Sequence, residues 1–131
     1  MTDQTASRPV IRLLPKTNAQ RLRFGAPWVF SDQLVLDRRT KAIAAGSVVE
    51  IQDKERKPIA LAAFNANSKI IARVLDTDLE AVVNVEWFTK RIRRAFELRE
   101  TLFDAPFYRL VHAEADGMPG VIIDQIGRAH V

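Results

Sequence analysis

The chain has 131 residues, 47% hydrophobic and 27% charged, a composition that fits one globular domain, or a small one plus part of another, and argues against global disorder. It contains no cysteine, which excludes disulfides, thiolate metal ligands and a cysteine nucleophile within these residues. The net charge of +4 is spread unevenly: Arg8, Arg12, Lys16, Arg21 and Arg23 fall in a segment with no acid until Asp32, and Lys90, Arg91, Arg93 and Arg94 form a second cluster, a pattern that favours a polyanionic partner over an acidic substrate.

Residues 1–7 are polar and are expected to fray. Residues 10–14 read as a first strand, ended by Pro15, which has no N–H for a ladder. Residues 16–23 suit a short helix with Ala19 and Leu22 inward, stopped by Gly25 and Pro27. The run 24–30 holds Phe24, Trp28 and Phe30. Aromatic rings beside arginines can stack RNA bases, but the alternation with Val29 gives a core placement the larger share.

Residues 33–36 make a weak strand, and 37–45 a polar connection with Arg38, Arg39 and Lys41. Clearer strands follow at 47–53, 59–64 and 70–75, each about six residues long and spaced at roughly twelve, the rhythm of a small barrel or sandwich. A small β-barrel is therefore expected over the N-terminal half.

After an acidic linker at 76–83, Asn84 is placed to cap a helix with Glu86 in its first turn. Phe88, Ile92, Ala95, Phe96, Leu102 and Phe103 recur at three- and four-residue intervals, which predicts an amphipathic helix over 85–103 with Lys90, Arg91 and Arg94 mainly on its other faces. Pro106 stops it. Apolar runs at 108–113 and 121–123 then flank Asp116-Gly117 and Pro119-Gly120, which predicts a β-hairpin with a charged loop at 114–120. In that loop Glu114, Asp116, Gly117 and Gly120 are the candidate cleft residues. The carboxylates could line a catalytic cleft, but an Asx-turn for Asp116 and a solvated Glu114 weigh more. His112 reads as a hydrogen-bonded core or edge histidine, and Arg109 as a phosphate binder or a strand-edge cap.

His112 and His130 lack metal-pair spacing, so no metal is expected. No apolar run is long enough to span a membrane and residues 1–9 lack a signal-peptide core, so the cytoplasm is the expected location and no membrane partner is expected. No glycine loop follows a strand and opens a helix, so no nucleotide-type cofactor pocket is expected in these residues.

The hairpin segment YRLVHAEADGMPGVIID resembles the one that follows the RNA-binding domain in bacterial large-subunit ribosomal RNA cytosine-5 methyltransferases carrying an N-terminal PUA domain. The spacing of Lys16, Arg21, Gly25 and Pro27-Trp28-Val29-Phe30 resembles the opening of that PUA domain; Gly46-Ser47-Val48-Val49, Phe64-Asn65, Ser68, Ile70 and Arg73 resemble its later strands. The chain departs from the family pattern at Arg56, where a turn glycine is usual, at Ala66, where a proline is common, and at Ala26, where a histidine is common.

The resemblance implies a β-rich α+β fold: a PUA-like RNA-binding barrel over 9–77, then the start of an intermediate α+β domain over 78–125, with a helix at about 85–103 and a hairpin at about 107–124. It implies structured RNA, in particular large-subunit rRNA, as partner, held by Arg12, Lys16, Arg21, Arg23, Trp28 and Arg73. It also implies S-adenosylmethionine in the parent enzyme, with cofactor site and catalytic cysteine in a further domain absent from this chain, which alone is expected to transfer no methyl group. A self-contained, non-catalytic RNA-binding adaptor is the alternative. Residues 126–131, IGRAHV, match one translation frame of a common sequencing adapter and are expected to be a non-native tail.

Overall fold

Short apolar runs in the middle of the chain, separated by polar turns, form a meander of three antiparallel strands: β3 (Ser47–Gln52), β4 (Pro58–Phe64) and β5 (Ile70–Asp76). The computed structural model describes residues 8–127, so the expectations for 1–7 and for 128–131 of the tail lie outside the described residues. The chain divides into two compact units, Met1–Val82 and Val83–Val131.

In the first unit β1 (Val10–Arg12) pairs in parallel with β3, and β2 (Trp28–Phe30) pairs antiparallel with β5, giving the order β1-β3-β4-β5-β2. Residues 59–62 on the central strand are all buried, as a strand covered on both faces requires. Ile11, Val29, Val49, Ile51, Phe64 and Ile71 fill one continuous core, each at 1% exposure or less. Beyond the two edge strands, Leu13 and Leu34 form an antiparallel bridge, flanked by Leu14 N–H donating to Gln33 O (2.8 Å) and Val35 N–H donating to Arg12 O (2.9 Å). The sheet is thereby curled into a half-barrel.

Two short pieces differ from expectation. Residues 33–36 are a 3₁₀ turn at Ser31–Gln33 followed by the single bridge at Leu34. The segment 37–45 contains a one-turn helix, α2 (Arg38–Lys41), because Asp37 Oδ1 accepts from Thr40 N–H at 2.8 Å and Thr40 is buried. In the β3–β4 turn, Asp53 Oδ1 accepts from the N–H groups of Glu55 and Lys57, and Arg56 takes φ +65°. Arginine thus adopts the left-handed conformation for which glycine is better suited.

In the second unit, α3 (Val85–Leu102) starts at Asn84, whose side-chain oxygen accepts from Trp87 N–H at 3.0 Å. The hairpin pairs β6 (Phe107–His112) with β7 (Ile122–Ile126) through a 3₁₀ turn, Ala113–Asp116, and Gly117 at φ +71°. The buried stripe of α3 is Trp87, Ala95 and Arg99, with Arg91 half-buried, whereas Phe88, Phe96, Leu102 and Phe103 are exposed. The helix therefore faces the hairpin with a side one step round from the apolar face read in the sequence. The reason is electrostatic: the hairpin loop presents a carboxylate and a carbonyl, which draw arginines inward. Ile126, assigned to the tail in the sequence reading, lies opposite Phe107 in the β6–β7 ladder.

Candidate nucleic-acid interface

The stretch between β1 and the Leu34 bridge folds into a groove of about 260 Å³ in the first unit. Asn18 caps α1 (Ala19–Arg23) by accepting from Gln20 N–H at 3.0 Å, which sets Arg21 on the exposed side and Leu22 in the core. Thr17 Oγ1 donates to Gln33 O (3.1 Å) and Gln33 Oε1 accepts from Phe30 N–H (2.9 Å), so the two ends of the groove are tied together. Lys16, Arg21, Trp28, Phe30 and Asp32 line it.

Trp28 and Phe30 are 39% and 43% exposed, whereas Val29 between them is fully buried, which corrects the core placement of the two rings. Period-two alternation identifies a strand but leaves open which set points inward. The rings meet edge to face with centroids 6.4 Å apart, and the Arg73 guanidinium lies 5.5 Å from the Trp28 ring centre, directly across the β2–β5 ladder. Lys16 and Arg21 make no ion pair among the described residues.

The other two expected RNA contacts stand apart from this groove. Arg23 donates to Asp53 Oδ2 at 2.8 Å, and that guanidinium, together with the Lys57 and Glu55 N–H groups, holds the Asp53 carboxyl below the usual carboxylate range against the opposing effect of burial. Arg12 is half-buried, and its Nε is enclosed with no hydrogen-bond partner.

Two carboxylates of the second unit, Asp116 and Asp124, are held in ion pairs. Asp116 is gripped by Arg99 in two hydrogen bonds of 2.6 and 2.9 Å and accepts from His112 N–H at 2.6 Å. Its local turn role is therefore joined to a long-range ion pair that spacing alone did not reveal. Burial pushes the Asp116 carboxyl up, but Arg99 and the His112 N–H outweigh this and leave it below 3.8. Arg91 donates to Gly117 O and lies 3.9 Å from the Trp87 ring centre. A Cβ on Gly117 would come within 2.6 Å of Arg91 Nη1, the far end of a flexible side chain that can shift, so it is the left-handed φ that favours glycine here. Gly120, also left-handed at φ +76°, sits in the turn before β7, and Glu114 is half-buried. His112 is exposed, and Arg109 is paired with Asp124 at 2.8 Å.

Among the described residues no group of three acidic or histidine side chains could hold a metal, and no helix is long and apolar enough to cross a membrane. None of the described glycines follows a strand and opens a helix.

A curled five-stranded half-barrel, with Lys16, Arg21 and two exposed rings along one groove, defines a small β-module. The chain belongs to the PUA-like domain family, whose model matches residues 11–77. It is 36% identical over 115 residues to ribosomal RNA large subunit methyltransferase I of Photobacterium profundum, an alignment covering 86% of this chain and 29% of the relative. With the protein of the same name from Salmonella schwarzengrund it shares 34% identity over 130 residues, 97% of this chain and 32% of the relative. The chain thus spans less than a third of either relative. The fold is similar to that of a candidate SAM-dependent methyltransferase from Streptococcus mutans, with TM-score 0.73 and 17% identity over 91% of this chain and 31% of the other. It is also similar to a candidate methyltransferase crystallised with SAH, with TM-score 0.69 and 17% identity over 92% of this chain and 30% of the other.

Proposed function

We propose that this chain is the RNA-holding N-terminal portion of a cytoplasmic, S-adenosylmethionine-dependent methyltransferase acting on large-subunit ribosomal RNA, with carbon 5 of cytosine as the acceptor. The observation that carries the reading is the groove beside β2, where Lys16 and Arg21 stand next to the exposed Trp28 and Phe30 rings. Cations there attract phosphates and release counterions, while the rings offer stacking faces. The PUA-like family and the names of the relatives support the rRNA assignment. In this reading the methyl donor and the nucleophile belong to a further domain of the parent enzyme, and this portion contributes binding and orientation.

The test is retention of large-subunit RNA fragments by the purified chain across a salt series. Trp28→Ala should weaken binding by about 1–3 kcal/mol. Arg21→Glu should weaken it across all sequences and flatten the salt dependence. Equal affinity of both folded variants and the original chain at low salt would refute the assignment.

A further inference from the structure

Among the residues lining the groove, Asp32 is the single carboxylate. It is exposed and makes no hydrogen bond or ion pair among the described residues. A site that served only the sugar–phosphate chain would be better without it, since a negative charge beside Lys16 and Arg21 repels phosphate and offsets their attraction. A carboxylate is, however, an acceptor with no donor of its own at neutral pH. It matches the exocyclic amine on the pairing edge of cytosine, adenine or guanine, and it is less well matched to uracil, whose pairing edge has one N–H flanked by two carbonyl oxygens and no amine. The rings of Trp28 and Phe30 add a second constraint: a base reaches an aromatic face only when it has left its own stack.

We propose that the groove takes one unpaired nucleotide and selects an amine-bearing base. Trp28 stacks the base, Lys16 and Arg21 hold the flanking phosphates, and Asp32 accepts a hydrogen bond from the exocyclic amine. Trp28 is kept in place by the β2–β5 ladder and by Arg73, and the groove ends by the Thr17 and Gln33 hydrogen bonds, so the stacking face and Asp32 stand on braced backbone. This inference rests on the RNA-binding reading above and goes beyond it by naming the kind of nucleotide bound.

The experiment compares RNA hairpins with one common stem and a loop of cytosines, adenines or uracils, together with the stem as a closed duplex, by fluorescence anisotropy at fixed salt. The original chain should prefer the cytosine and adenine loops over the uracil loop by about tenfold, the scale of one hydrogen bond to a charged group. It should bind the duplex more weakly than either. Asp32→Asn, which supplies a donor as well as an acceptor, and Asp32→Ala should both erase the base preference while retaining affinity for the loops. Equal binding of all loops by the original chain would overturn the proposal. So would a gain of the same factor for every loop in both variants, which would make Asp32 a repulsive charge and nothing more. A duplex bound as tightly as the loops would remove the unpaired nucleotide. Failure of the original chain to bind any of these RNAs at low salt would instead defeat the underlying RNA-binding reading.

Discussion

The two units are held together by different physics. The first encloses aliphatic side chains and Phe64 in one continuous core. The second buries far fewer apolar side chains (Trp87, Ala95, Leu110, Val111 and Met118) and centres on arginines. There Arg99 grips Asp116, with side chains only 11% and 8% exposed, and Arg91 spans Trp87 and Gly117 O. Apolar burial is non-directional and tolerates small shifts, whereas a buried ion pair depends on geometry and on both partners staying charged. Phe96, Leu102, Phe103, Phe107, Ile122 and Ile126 remain exposed in the second unit, so its stability per residue should be the lower of the two.

Each unit contains one of the chain's two tryptophans, Trp28 or Trp87, and fluorescence in single-tryptophan backgrounds can follow them separately. The largest effect should come from Phe64→Ala, which opens a cavity in the barrel and should cost about 3–5 kcal/mol on the Trp28 signal. A loss below about 1 kcal/mol would mean that the first unit is not organised around a tightly packed core.

The ion pair provides the sharper contrast. Arg99→Met leaves Asp116 buried without its partner and should cost the second unit about 3 kcal/mol, while Arg99→Met with Asp116→Leu should recover much of that loss. Asp116 has a folded-state pKa below its ordinary value, so the unfolded chain binds more protons in acid. Its contribution is fully present well above the ordinary carboxylate value and should be lost as pH falls through that value and on through the lowered folded one, and the double variant should lose this part of the acid dependence. Identical acid profiles for the original and the double variant would show that the pair is not the unit's tie.

The smallest effect is a gain. Arg56→Gly relieves a left-handed arginine and should stabilise the first unit by up to about 1 kcal/mol, part of it offset by the greater freedom of glycine in the unfolded chain. A higher urea midpoint on Trp28 with an unchanged slope is the expected result.

The strands of the meander, the Asn84 cap and the hairpin turn were legible because each depends on local pattern: short apolar runs at regular spacing, a capping side chain, Asp-Gly and Pro-Gly. The groove was legible only in part. Lys16, Arg21 and Trp28 come together, but the outward phase of Trp28 and Phe30 depends on which strand face meets the core, and the sheet decides that. Arg23 is paired with Asp53, thirty residues away, and no spacing rule foresees that pairing. The face of α3 was misjudged for a similar reason: hydrophobicity ranks arginine as outward, while Asp116 and Gly117 reward it for turning in. The helix at Arg38–Lys41 was within reach, since Asp37 and Thr40 have cap spacing, but its single turn is too short to show periodicity.

The bridge between Leu13 and Leu34 has an evolutionary corollary. Because the chain returns to its starting point there, the intervening residues form one closed excursion, stitched to the meander mainly through β2. Every residue lining the groove lies within that excursion. Substitutions at the exposed groove positions between these anchors could change the lining while Leu22, Val29 and the β2–β5 pairing hold the stretch to the sheet. The meander, conversely, could accumulate core substitutions without altering specificity. The excursion still shares the core through Leu22 and Val29, and Arg73 of the meander backs Trp28, so the freedom to vary lies with the exposed groove positions and not with the whole stretch.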